Sequence, residues 1–513
     1  MAVLKIFKKI FSRVALTLLL ILIQIAAIVT LEVFMIIWFW PYAIVFGIIQ
    51  IIVFLLIINK KTTPDLKLPW IIIIIALPLI GVLIYAFFAN HGLKPKYRQL
   101  LRTANKRTAE YFDPKQSVDL QMLKDSKNEY STPFEYLAHA LYCPPTYGNK
   151  VTYYGSGEEW FPHFIEELKS AKEFIFMEFF IIDRGKEWTE IHEVLKEKAR
   201  QGVEIRLIYD DIGCAGLLHS WYPSQLRKEG IKCYRFNPFI PLLSGIFNNR
   251  DHRKIAIIDH KEAFTGGMNL ADEYANDIVR FGYWKDAMIK IEGPAINNLM
   301  FMFLTIYDLC QNSNSDYDRY LKYTYRRYEE NAIVAPFGDG PAPFISQDAG
   351  EATFINMLEN AKESVYICTP YFIPTENLKS AIIRAGYRGI DIRILVPGIP
   401  DKKFVYKMAI TYFKELLRAG IKVYTYNEGF NHQKSIVVDG QVAFVGTINM
   451  DYRSLVHHFE CGAIFMNSNA VKEVEADLLD CFDHAEIVTE ERTKMSMMSG
   501  LFCALLSIFA QLL

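Results

Sequence analysis

Residues 252–269 read HRKIAIIDHKEAFTGGMN, and residues 432–449 read HQKSIVVDGQVAFVGTIN. Each copy places a His, a Lys two residues on, an Asp five further, then Gly and Asn. The positions are His252, Lys254, Asp259, Gly266 and Asn269, and again His432, Lys434, Asp439, Gly446 and Asn449. The offset is constant along the pattern (432 − 252 = 180 and 449 − 269 = 180). A single His-x-Lys on a strand is most often surface chemistry without consequence, and an Asn before a helix is most often only a cap. Duplication of the whole set in register overturns both readings and points to one site shared by two halves.

The flanks repeat with the pattern. SAKEFIFMEFF near 170 is echoed by NAKESVYICTPYF near 360, GVEIRLIYD at 202 by GIDIRILVP at 389, and GIKCYRF at 230 by GIKVYTY at 420. Apolar runs at 172–182, 203–209 and 231–236 predict strands, with an amphipathic helix at 188–201 between them. Strands alternating with helices imply βαβ units and a mainly parallel sheet, and two similar halves imply a pseudo-twofold pair. The expected fold is α/β, a tandem duplication with a mixed sheet flanked by helices. Its parts are a membrane region at 1–92, a helical lead-in at 93–150, the two repeated domains at 151–330 and 331–490, and a hydrophobic tail at 491–513.

The membrane region follows from three apolar stretches, Val14 to Val33, Phe34 to Ile58 and Trp70 to Phe88. A span needs roughly 20 apolar residues, so two or three of these are expected to cross a bilayer. Trp38, Phe39, Trp40 and Tyr42 around Pro41 read either as an interfacial belt or as packing between helices. Lys and Arg clusters before the first stretch, between the second and third, and after the third cannot all lie on one side if all three cross. One stretch is then re-entrant or interfacial. The tail Met498–Leu513 is too short for a span and reads as an interfacial helix or a core helix. A net charge of −1 over 513 residues gives no global basic field, which argues against a nucleic-acid partner. The eight cysteines form no CxxC pair and no metal-ligand spacing, as expected of buried small residues in a reducing compartment.

Chemically, the β-branched runs IAIID and SIVVD mark strands, and DGQ after Val438 signals a hairpin. Residues two apart on a strand share a face, so each His points the same way as its Lys. The Asp lies an odd number beyond the His. That assigns Asp259 and Asp439 to the turn or to holding the Lys, and not to orienting their own His. Gly266-Gly267 and Gly446-Thr447 lead towards expected helix starts, with Asn269 and Asn449 where a cap sits, and helix N-termini bind phosphate through backbone N–H groups. Two His, two Lys, two Asn and backbone donors make a phosphate site. Lys is a poor divalent-metal ligand and each copy offers a single His, so metal and cofactor are both expected to be none. Two imidazoles on one phosphodiester permit displacement through a phospho-histidine, one His attacking while the other protonates the leaving alkoxide and then deprotonates the incoming alcohol. The lysines neutralise the non-bridging oxygens.

These paired motifs resemble the phospholipase D superfamily, and within it the bacterial cardiolipin synthases, over about residues 49–485. YDDIG at 209–213, GGMNLADEY at 266–274, YWKDAMIKIEGPA at 283–295, GDGP at 338–341, TPYFIP at 369–374 and NMDYRS at 449–454 carry the narrower likeness. The resemblance implies that Asp286 and Glu460 orient the two histidines, and that two phosphatidylglycerol molecules give cardiolipin and glycerol. It further implies a multi-pass protein of the bacterial cell membrane, with membrane phospholipids as partners and a cytoplasm-facing catalytic body. His457-His458 depart from the common Leu-Asn, and Thr447 from the usual Ser, leaving two extra imidazoles beside the site to tune its pH response. Two other readings compete, a membrane-tethered phosphodiesterase acting on lipid or nucleic acid, and a dead scaffold. The scaffold would show erosion of a motif, and both motifs are complete. Oligomeric state is left open by the sequence.

Overall fold

The computed structural model describes residues 40–60, 62–89, 95–238, 249–321, 323–341 and 349–508, with isolated positions between 19 and 37. One 15-stranded sheet runs through the described residues. From its centre outward, the first half orders its strands as Thr146–Tyr154, Met288–Glu292, Glu262–Gly266, Ile255–Ile258, Phe174–Phe179, Glu204–Asp210 and Ile231–Phe236. The second half repeats the order with Ala332–Asp339, Glu460–Met466, Val442–Gly446, Ser435–Val438, Ser364–Cys368, Asp391–Pro397 and Lys422–Tyr426, and adds Ala485–Ile487 at its edge. Antiparallel pairing of the two innermost strands, Thr146 opposite Val334 and Asn149 opposite Ala332, joins the halves about a pseudo-twofold axis.

The sheet is mixed, and the expectation of mainly parallel pairing is corrected. Parallel pairing in this sheet is confined to one three-stranded βαβαβ unit in each half. The rest is antiparallel because the motif strands form hairpins, Ile258 opposite Glu262 and Val438 opposite Val442. Asp439 and Gly440 both take positive φ (53° and 60°), as the tight turn of such a hairpin requires. Sheet strands buried on both faces read as nearly unbroken apolar runs, as in Phe174–Phe179, where every residue is buried and Glu178 alone is polar. The helix Ile296–Gln311 is apolar nearly all round and packs inside the largest core cluster, beside both halves' strands.

Among the described residues no helix is long and apolar enough to cross a membrane, against the two or three spans expected. Of the stretch Val14–Val33 only isolated positions are described, and the side chains of the cluster Trp38, Phe39, Trp40 and Tyr42 lie outside those described. Trp40–Ile58 is a single helix without charge that exposes Ile44, Ile48, Ile51, Leu55 and Leu56. The third stretch breaks at Pro78 into helices Pro64–Ala76 and Pro78–Phe88. Trp70 and Tyr85 meet edge to face with ring centroids 5.5 Å apart, whereas a continuous helix would separate them by about 22 Å. A Cβ on Gly81 would lie 2.5 Å from the Ile73 carbonyl oxygen, so glycine permits this close fold-back. The third stretch is a hairpin of two short helices. Asp65 in its first turn accepts a hydrogen bond from Tyr452 at 2.9 Å, tying the hairpin to the second half. The tail helix Met497–Ile508 packs Leu506 against Ile373, Met408 and Tyr452 while leaving Met497, Met498, Leu501 and Phe502 exposed.

Candidate active site

The histidines lie just before the motif strands, where the chain crosses from one half to the other. The segment Gly429–Asn431 pairs in parallel with Tyr283–Lys285, and the His432 amide donates to the Lys285 carbonyl at 2.7 Å. The mirror contact is an Asp251–Phe459 bridge, with the His252 amide donating to the Phe459 carbonyl at 2.8 Å. This crossing carries each imidazole to the other half's acid. Nδ1 of His252 sits 2.8 Å from Glu460 Oε2, and Nδ1 of His432 sits 2.6 Å from Asp286 Oδ2. All four groups are buried, with the imidazoles 9% exposed. A carboxylate on Nδ1 fixes the tautomer and leaves Nε2 for chemistry.

Each Lys turns back on its own His. Lys254 Nζ donates to the His252 carbonyl at 2.6 Å, and Lys434 Nζ contacts both the carbonyl and Nδ1 of His432. Burial holds Lys254 down to about 7 and Lys434 down to about 8. Burial also presses both imidazoles below their ordinary value, with the two lysines adding to it, His432 to about 4. The neutral imidazole is therefore the resting form at neutral pH.

Both histidines open onto one cavity of about 540 Å³. Asn269 and Asn449 line it as well, but neither caps an α-helix. Asn269 leads into the 3-10 turn Asp272–Ala275, with its Oδ1 accepting from the Ile181 amide and its Nδ2 donating to Tyr274. Asn449 leads into a two-residue strand and the π-helical turn Arg453–His457, and donates to Ser454 Oγ. The expected helix-terminus phosphate cradle is thus replaced by turns, because the glycines that precede it belong to the sheet. Gly266, Gly267, Gly446 and Thr447 do not line the cavity. The Gly267 and Thr447 amides pair with the Ala287 and Cys461 carbonyls at 2.8 Å, and the Gly446 amide with the Lys434 carbonyl at 3.2 Å.

Those small residues support the acids instead. A Cβ on Gly267 would fall 1.9 Å from Asp286 Oδ1, and at the matching position Thr447 donates its hydroxyl to Glu460 Oε2. Asp259 and Asp439 sit at the hairpin turns, away from both lysines. The Asp259 carboxylate accepts from the Lys172, Glu173 and Phe174 amides at 2.8–2.9 Å. Asp439 accepts from the Lys362, Glu363 and Ser364 amides at 2.7–2.8 Å and from the Tyr130 hydroxyl at 3.0 Å. Of the alternatives read from the sequence, the turn is where they are found.

Several cavity residues carried no repeat signal: Tyr274, Tyr371, Lys402 and Asp451 among them. His458 lines the cavity and His457 does not. His252, His458 and Glu460 bring ligand atoms within 4.8 Å of one another, a grouping able to hold a metal ion, which the one-His-per-copy reading did not foresee. Lys254 and Lys434 beside it add positive charge that opposes a divalent cation.

Paired imidazoles, each oriented by a carboxylate from the opposite half and flanked by a buried Lys, define a two-histidine phosphodiester transferase of phospholipase D type. A model for the cardiolipin synthase phospholipase D-like domain matches residues 164–298 and 354–481, and a phospholipase D-nuclease N-terminal model matches residues 48–90. The chain is 36% identical over 447 residues to an uncharacterised protein of Streptococcus mutans, covering 87% of this chain and 96% of the relative. It is 32% identical over 445 residues to a cardiolipin synthase of Alkalihalophilus pseudofirmus, covering 86% and 88%. A phosphatidylserine synthase structure from Haemophilus influenzae shares the fold, with a TM-score of 0.54 at 15% identity over 75% of this chain and 98% of that one. The chain belongs to the cardiolipin synthase family of the phospholipase D superfamily.

Proposed function

We propose that the protein transfers a phosphatidyl group between two phosphatidylglycerol molecules, giving cardiolipin and glycerol. The observation that carries this reading is the crossed pair His252–Glu460 and His432–Asp286 opening on one cavity, in a chain that matches cardiolipin synthases over most of its length. Nε2 of one imidazole attacks phosphorus. The other imidazole, neutral at rest, takes up a proton as the phosphodiester anion enters beside it and gives that proton to the departing glycerol as the P–O bond breaks, leaving a phosphatidyl-histidine. That second imidazole then takes the proton of the incoming headgroup hydroxyl as the new P–O bond forms and the P–N bond breaks. Lys254 and Lys434, buried behind the imidazoles and outside the cavity lining, offset the charge that develops on the non-bridging oxygens, worth most in a dry site. Asp286 and Glu460 hold the imidazoles in register, and Gly267, Thr447, Asp259 and Asp439 hold the frame around them.

The membrane supplies both substrates. The apolar helix Trp40–Ile58, the hairpin Pro64–Phe88 and the exposed apolar face of Met497–Ile508 support attachment to the bacterial cell membrane, with the catalytic body towards the cytoplasm, where the donor lipid is made. Thin-layer chromatography of the full chain with labelled phosphatidylglycerol in mixed micelles tests the reaction. Cardiolipin and glycerol in equal amounts are expected, lost in His252→Ala and in His432→Ala. Phosphatidic acid as sole product would replace this reading with a membrane-bound phospholipase.

A further inference from the structure

One end of the cavity carries buried polar atoms that the protein does not satisfy. Nδ1 and Nε2 of His458 and Oδ1 of Asn449 are buried without a hydrogen-bond partner among the described residues. Glu460 Oε1 lies 3.6 Å from His458 Nδ1, beyond hydrogen-bond reach. Both side chains line the cavity and flank the same π-helical turn, Arg453–His457. Buried polar atoms are nearly always paired, so a group of this kind facing a cavity is completed by what the cavity takes in.

The pseudo-twofold mates behave differently. Asn269 Oδ1 is satisfied by the Ile181 amide at 3.0 Å. The residue two before Asp286 is Trp284, whose ring lies 5.5 Å from that of His432 and whose unpartnered Nε1 can only donate. The His252 end is therefore the end that offers both donors and acceptors. Its ring neighbours are Phe180 at 5.0 Å and His458 at 5.8 Å, while Tyr274, Trp284 and Phe430 surround His432.

We propose that His458 and Asn449 form a subsite for a polyhydroxy alcohol, reading the second hydroxyl of a glycerol headgroup while its terminal hydroxyl faces the reacting phosphorus. This deepens the phosphatidyl-transfer reading and rests on it, with His432 attacking phosphorus and His252, at the headgroup's end, serving the leaving and entering hydroxyls. As a neutral imidazole His458 presents one N–H donor and one lone pair to the cavity. Asn449 Oδ1 adds an acceptor. A hydroxyl both donates and accepts, and suits this set. An ammonium headgroup offers no acceptor to the His458 N–H and brings positive charge towards Lys254 and Lys434.

The test uses the full-length protein in phosphatidylglycerol micelles with 1-propanol or 1,2-propanediol as competing acceptor, the phosphatidyl-alcohol products being separated by chromatography. The wild type is expected to favour the diol by about tenfold at equal concentration, the scale of one added hydrogen bond. His458→Phe keeps a ring and removes both nitrogens, and is expected to bring the two alcohols to equal rates. Equal rates for the two alcohols in the wild type overturn the subsite, even if His458→Phe does not fold. An unchanged diol preference in folded His458→Phe overturns it as well. Phosphatidic acid alone, with neither alcohol product, overturns the transfer reading and the subsite together.

Discussion

Glu460, on a strand of the second half, accepts a hydrogen bond from Nδ1 of His252, which belongs to the first half, at 2.8 Å. The reciprocal pair, Asp286 and His432, closes at 2.6 Å. Each half thus completes the other's imidazole. Neither half carries an oriented histidine by itself, which accounts for a duplicated chain whose two histidines share one cavity. Glu460→Gln and Asp286→Asn, which keep the shape and remove the charge, are expected to lower kcat by about 10²–10⁴-fold with little change in KM. Steady-state kinetics with phosphatidylglycerol decide it. A loss in KM alone would place these carboxylates in substrate binding.

The two steps separate in the single-histidine variants. Rapid acid quench of labelled lipid is expected to trap the phosphatidyl-enzyme in wild type. The variant lacking the nucleophile traps none, and the variant lacking the acid–base partner retains a slow burst when the leaving group is a good one, such as a nitrophenol. A burst from His252→Ala and none from His432→Ala is expected, and the reverse result would make His252 the nucleophile.

The pH dependence follows from the lysines. In the proposed reaction their charged forms offset the phosphate's charge, and burial holds Lys254 down to about 7 and Lys434 down to about 8. Each loses its charge as pH rises through its value, so kcat/KM, which reports the free enzyme, is expected to fall through that window. The acid limb lies lower, since the attacking imidazole must be neutral and burial with the two lysines holds both histidines below their ordinary value, His432 at about 4. A flat kcat/KM profile from about pH 6 to about pH 9 would remove the lysines from the chemistry.

Much of this was legible in the sequence, and the losses have physical causes. The 180-residue offset fixed the duplication, and each Lys does lie beside its His, but both precede the strands Ile255–Ile258 and Ser435–Val438, so strand periodicity is not what joins them. The crossing was not legible, because strand pairing between distant segments such as Gly429–Asn431 and Tyr283–Lys285 leaves no local pattern. Gly266-Gly267 and Gly446-Thr447 look like a phosphate loop in one dimension. In three they let Asp286 and Glu460 approach, a shorter acid beside Gly267 and a longer one bonded to Thr447. The stretch Trp70–Phe88 passes a hydropathy test for a span, yet Pro78 and Gly81 turn it back on itself.

The motif aspartates provide a control that separates frame from chemistry. Asp259 and Asp439 each accept three backbone amides at the start of a neighbouring strand and touch neither Lys nor cavity. Removing either carboxylate strands those amides, and hydrogen bonds to a charged acceptor are worth about 1.5–3 kcal/mol each before water replaces them at exposed positions. Asp259→Ala and Asp439→Ala are therefore expected to cost a few kcal/mol of stability, seen as a lowered denaturation midpoint, while kcat of the folded fraction stays within about threefold of wild type. Thr447→Val provides the contrast. Its hydroxyl bonds the acid that holds His252, so kcat falls along with stability. Should the aspartate variants keep their stability and lose kcat instead, the motif Asp would belong to the chemistry, acting through the strand that it anchors.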